Sequence, residues 1–68
     1  MSIEISVNGD ARQVPAGSTI ETLLQLLRIP QDRVAVELDR RIVRKPEWAS
    51  AHLSNGAKLE IVHFVGGG

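Results

Sequence analysis

Ser18–Pro30, STIETLLQLLRIP, is the stretch whose reading decides the fold. Ile20, Leu23, Leu24 and Leu27 recur at i, i+3, i+4 and i+7, which lines one face of an α-helix with apolar side chains. Ser18 is a good N-cap, and Glu21 three residues on completes a capping-box pattern. Arg28 falls where a last helical turn would welcome a cation, and Pro30 forbids continuation. The spacing therefore predicts one helix over residues 19–28. Nothing else in the chain has this period, so the remainder must supply a sheet for that single apolar stripe to cover.

The flanks do so. In Ile3–Val7, IEISV, the residues Ile3, Ile5 and Val7 share one face and Glu4 and Ser6 the other, the period of a half-buried strand. Asn8-Gly9 follows, a hairpin signal because both residues accept positive φ. Asp10–Val14 is then a polar returning strand near an edge, ended by Pro15 and Gly17. Beyond the helix, VAVEL (34–38) is a third strand, Asp39 and Arg40 turn the chain, and RIV (41–43) is a short fourth. KPEWASAHL (45–53) lacks alternation and reads as a loop with a helical turn, in which Trp48 covers one end of the core with its N–H in water. Asn55-Gly56 marks another turn, and a last strand runs from about Lys58 to Val65. The order β-β-α-β-β-β implies an α+β fold, a mixed sheet of four or five strands grasping one main helix. Its first and last strands would lie side by side in the centre, parallel because the helix intervenes. Ile3, Ile5, Ile20, Leu23, Leu24, Leu27, Val36, Leu59 and Ile61 are the expected core.

Composition bounds the function. With 68 residues there is one domain, and a chain of this size buries only roughly 60% of its unfolded surface, too little to enclose a deep active site. Eight basic and eight acidic residues give a net charge of zero, which argues against nucleic acid as the partner. No cysteine is present, so no disulfide framework is expected and an intracellular, cytoplasmic location is favoured. The first ten residues lack the pattern of a signal peptide, and no apolar run is long enough to span a bilayer. His52 and His63 are the only imidazoles, without cysteine or paired acidic ligands, so no metal site is expected. No Ser-His-acid spacing and no phosphate-binding loop stands out. Arg40, Arg41, Arg44 and Lys45 read as a solvated hairpin, with a docking patch for an acidic partner as the other reading.

LEIVHFV (59–65) carries more information. Leu59 and Ile61 should face the helix, which leaves Val62 and Phe64 on the opposite, uncovered sheet face. Such a pair is buried on both sides, a dimer contact, or an apolar docking surface for a partner, with His63 beside it. Directly after it stand Gly66, Gly67 and Gly68. Three glycines reach about 10 Å at ~3.3–3.6 Å per residue and, lacking Cβ, can enter a narrow channel. Such an arm would deliver the α-carboxylate of Gly68, a poor electrophile that needs activation, for instance as an acyl adenylate. Residues 1–65 are thus read as the folded domain and 66–68 as its tail.

VNGD (7–10), AGSTIETLLQLL (16–27), VAVELDRRIV (34–43), EWA (47–49) and above all LEIVHFVGGG (59–68) resemble the sulfur carriers of thiamine biosynthesis, a ubiquitin-like β-grasp family. The resemblance covers the whole chain. It implies a carrier and co-substrate rather than an enzyme, with no bound cofactor. ATP would be used by a partner adenylyltransferase that activates Gly68, and a persulfide sulfur donor would convert the adenylate to a thiocarboxylate. Thiazole synthase would then take up the sulfur. Gly67 and Gly68 would be the functional pair and Gly66 an extension of the arm. A carrier serving molybdopterin synthesis or another sulfur pathway shares the glycine ending. A ubiquitin-like protein modifier and a nucleic-acid-binding β-grasp module are further alternatives.

Overall fold

The computed structural model describes residues 1–64. Strand β1 (Ser2–Val7) and strand β2 (Asp10–Pro15) form an antiparallel hairpin in which Val7 stands opposite Asp10. The two-residue turn between them needs left-handed backbone twice, and Asn8 (φ 51°) and Gly9 (φ 88°) supply it. Helix α1 (Ile20–Leu26) crosses over to β3 (Val34–Leu38), β4 (Arg41–Val43) and β5 (Lys58–His63). The strands lie in the order β2-β1-β5-β3-β4, with β1 parallel to β5 and β3 antiparallel to both β4 and β5. First and last strands are adjacent in the middle, and one face of the sheet grasps α1, the ubiquitin-like arrangement expected from the sequence.

The helix begins one residue later than its capping pattern suggested. Thr19, not Ser18, is the N-cap: its Oγ1 accepts from the Thr22 N–H at 3.2 Å, and Thr22 Oγ1 accepts from the Thr19 N–H at 2.8 Å. The reciprocal box thus uses a threonine at its third helical position in place of Glu21. The Ser18 hydroxyl instead donates to the Pro15 carbonyl at 2.6 Å, closing the turn in which Gly17 adopts φ 89°. The helix is also shorter at its far end. Leu27 is the C-cap, and Arg28 lies beyond it at φ 58° rather than in the last turn. The Arg28 N–H donates to the Gln25 carbonyl and the Ile29 N–H to the Leu24 carbonyl, the paired bonds of a Schellman stop. Chain reversal at Arg28 thus ends the helix before Pro30 can.

Ile5, Ile20, Leu23, Leu24, Val36, Leu59 and Ile61 are buried, while Ile3 and Leu27 are only partly covered at the margin of the same cluster. Trp48 departs from its expected state. It is buried at 3% exposure, and its Nε1–H donates to the Val43 carbonyl at 2.8 Å instead of reaching water. The loop that carries it includes a short 3-10 turn, Lys45–Glu47, and a second such turn, Gln31–Arg33, precedes β3. A bridge between Thr19 and His52 fastens the later part of the loop to the start of α1, with the Ile20 N–H donating to the Ala51 carbonyl and the Leu53 N–H to the Ser18 carbonyl.

Leu24 has no exposed surface. Its replacement by alanine should cost about 2–5 kcal/mol in urea unfolding, the range for a core leucine whose cavity cannot fully collapse. A loss below ~1 kcal/mol would contradict the packing described.

Candidate docking face

Side chains alternate along β5, so its two sets of residues meet different surroundings. Leu59 and Ile61 enter the core at 1% and 5% exposure, whereas Val62 and Phe64 are each 58% exposed on the other side. The reading in which this strand is buried on both faces is therefore excluded. His63 is also exposed, but it shares the parity of Ile61 and stands opposite Val34, so it does not join Val62 and Phe64 on one face. Ile42 does join them. It pairs with Glu37, which pairs with Glu60, and it is the most exposed of the strand-borne large hydrophobics at 72%. Glu37 and Glu60 thus complete an open face on which carboxylates stand among apolar side chains.

This face is set by how β5 is held. Backbone pairing between β1 and β5 ends at Val7 and Leu59, with the Asn8 N–H donating to the Leu59 carbonyl at 2.9 Å. The Asn8 side chain then continues the ladder in place of a strand. Its Oδ1 accepts from the Ile61 N–H at 2.8 Å, and its Nδ2 donates to the Ile61 carbonyl at 3.2 Å. On the other flank, Asp39 grips the start of the strand. Its N–H donates to the Lys58 carbonyl at 2.7 Å, and its Oδ1 accepts from the Lys58 N–H at 3.0 Å. Past Ile61 the strand keeps β3 as its neighbour, up to a Phe64 N–H donated to the Arg33 carbonyl at 2.8 Å. The strand ends at His63, short of the expected Val65, and the sequence continues through Phe64 to Val65, Gly66, Gly67 and Gly68, which lie outside the described residues.

The other candidates are less eventful. Arg40, Arg41, Arg44 and Lys45 are exposed on and beside β4, an edge strand, where charge discourages edge-to-edge pairing. His52 is exposed with Nδ1 3.2 Å from the Ser50 carbonyl. Among the described residues no group of three or more His, Cys, Asp or Glu is placed to hold a metal ion, and no helix is long and apolar enough to cross a membrane. A groove of about 540 Å³ opens on the same sheet face between the two hairpin turns, with Ser6, Gly9, Glu37, Arg40, Lys58 and Glu60 on its walls. Sequence reasoning did not single out Ile42, Glu37 or Glu60. Alternation was the available signal: within RIV it turns Ile42 away from Arg41 and Val43, and within LEIV it puts Glu60 on the side of Val62.

These features define a single ubiquitin-like β-grasp domain with one apolar-and-acidic sheet face uncovered. Comparison with known proteins narrows the class. The ThiS family model matches residues 5–68, and the chain belongs to the ThiS family. It is 34% identical over 65 residues to the sulfur carrier protein ThiS of Bacillus subtilis, covering 94% of this chain and 98% of that protein. The crystal structure of a thiamine biosynthesis protein (ThiS) from Geobacter metallireducens superposes with a TM-score of 0.84 at 26% identity, over 97% of this chain and 100% of that one. A thiazole synthase of Paramagnetospirillum magneticum is 41% identical over 66 residues, which is 97% of this chain but 20% of that protein. The chain thus spans about a fifth of the length of the thiazole synthases it matches.

The role of Asn8 can be separated from its backbone conformation. Asn8→Gly keeps left-handed backbone accessible and removes only the amide, so it should destabilise the domain by about 1–3 kcal/mol, since it deletes two hydrogen bonds to Ile61. Native-state hydrogen exchange should show the Ile61 amide losing more protection than the Ile5 amide. Equal loss at both would mean that Asn8 does not hold β5 locally.

Proposed function

We propose that this chain is a sulfur carrier of thiamine biosynthesis whose cargo rides on the carboxylate of Gly68, in the form of the chain that ends there. Membership of the ThiS family supports the carrier role, and the observation that carries it furthest is the course of β5. β5 bears the exposed Val62, the exposed Phe64 follows its last residue His63, and the sequence then runs on to the three glycines. A partner that docks on Val62 and Phe64 is thereby in reach of the glycines.

The chemistry needs little from the carrier. A carboxylate resists nucleophilic attack because its charge is delocalised and its leaving group would be oxide. An ATP-dependent adenylyltransferase removes that obstacle: a Gly68 carboxylate oxygen attacks the α-phosphorus, pyrophosphate leaves, and an acyl adenylate results. A persulfide sulfur then attacks the acyl carbon and AMP leaves with the bonding pair. Reductive cleavage of the acyl persulfide by a thiol leaves the thiocarboxylate at Gly68. Thiazole synthase accepts that sulfur into the thiazole ring. ATP belongs to the activating partner, and the carrier binds no cofactor of its own. The thiazole synthase partnership is supported by the relatives bearing that name, in which a stretch similar to nearly all of this chain occupies about a fifth of the length. Gly66 and Gly67 contribute thinness, since a Cβ at either widens the arm. Val62 and Phe64 contribute the contact surface, and His63, which projects to the other side of the strand, stands outside it. The setting is the cytoplasm, where ATP is supplied.

Two variants test different parts of this reading. Phe64→Asp changes a side chain that is 58% exposed, so stability should move by no more than about 0.5 kcal/mol while binding to the adenylyltransferase weakens about tenfold or more. Unfolding in place of weakened binding would remove the docking role. One residue added after Gly68 should leave the melting transition unchanged and abolish pyrophosphate release with the adenylyltransferase. Undiminished release without trimming of the added residue would rule out Gly68 as the activated group.

A further inference from the structure

We propose that Glu37 and Glu60 act together as a charge selector in the docking face, seating a lysine or arginine of a protein partner whose surrounding surface is apolar. This rests on the docking reading above and adds the chemistry of the partner. The sheet register places Glu37 directly opposite Glu60 on adjacent strands, and both point away from the core. Like charges in directly opposed positions repel and destabilise a sheet. The fold gains nothing from the pair, because an exposed face would accept any polar combination at this position.

Their surroundings give the pair a purpose. Ile42 stands across from Glu37 on the outer side, and Val62 and Phe64 follow Glu60 along β5. A partner that covers these three apolar side chains must also take water from the carboxylates between them. An unpaired carboxylate buried in that way costs more than the apolar contact contributes. A partner that brings a cation to the same spot avoids this cost. Nucleic acid brings the wrong sign. Arg40 and Lys58 line the far end of the groove, so the face is acidic in the middle and basic at the end where β5 begins. Such a dipolar pattern fixes the orientation of a docked partner as well as its identity.

The test uses the full chain with Glu37→Gln and Glu60→Gln combined, titrated calorimetrically against the ATP-dependent adenylyltransferase at low and high salt. Removing both charges keeps the shape and relieves the repulsion. The expected result is affinity reduced about tenfold or more with a flatter salt dependence, while the melting temperature of the free carrier holds or rises. Unchanged affinity and salt dependence in this variant, with Phe64→Asp still weakening binding, would overturn the selector and leave the docking face intact. Failure of the unmodified chain to bind would remove both. Sedimentation provides the remaining arm: a wild-type dimer that the two substitutions dissociate would make a second copy the occupant, through its own exposed arginines, and would overturn the proposal.

Discussion

Everything downstream depends on β5 being clamped by two hairpin turns. Asn8 and Asp39 occupy matching places, each the first residue of a two-residue turn and each in left-handed backbone at φ 51°. From opposite sides they offer both a donor and an acceptor to β5, Asn8 at Ile61 through its side chain and Asp39 at Lys58 through its N–H and carboxylate. A central strand ordinarily takes these bonds from neighbouring strands. Here β1 ends at Val7, and the Asn8 amide carries the ladder further without requiring β1 to be longer. The same two residues thus close the hairpins and hold the strand that leads to the glycines. Without such bonds the buried N–H and carbonyl of Ile61 would be left unpaired, at a cost comparable to a core packing defect.

The functional arrangement follows from that clamp. With Leu59 and Ile61 fixed against α1, alternation forces Val62 and Phe64 outward, and the face they form cannot turn away from the end of the strand. A domain of this size has no room to enclose an active site. It can hold an open sheet face rigid, with Val62 and Phe64 presented together.

Much of this was legible in the sequence, for identifiable reasons. Strand and helix periods are local, so Ile5, Leu23, Leu24 and Leu59 declared themselves as core and the Asn8-Gly9 turn declared the first hairpin. The parallel pairing of first and last strands followed from the crossing helix. Less legible were choices between near-equivalent local partners. Ser18 and Thr19 are both competent caps, and the one-residue preference came from Ser18 closing a turn onto Pro15. Arg28 carried no sign that it would take left-handed backbone, a conformation usually left to glycine. Trp48 found a part-buried acceptor five residues back, in a loop whose course periodicity does not encode. The Asn8 amide reaches a residue 53 positions away, and the acidic pair on the open face exists only once β3 and β5 are in register. Tertiary hydrogen bonds and cross-strand neighbours are products of the register, which a pattern of alternating residues does not specify by itself.

The central claim is that this clamped strand serves a carboxylate at Gly68 that is activated and loaded with sulfur. Its most direct test is the intact mass of the unmodified chain after incubation with ATP, the adenylyltransferase and a persulfide donor under reducing conditions. The account predicts a mass gain equal to one sulfur replacing one oxygen, dependent on ATP and assigned by fragmentation to Gly68. A chain that retains its original mass while the same enzymes load a known ThiS protein, or that gains sulfur at any other residue, would contradict it.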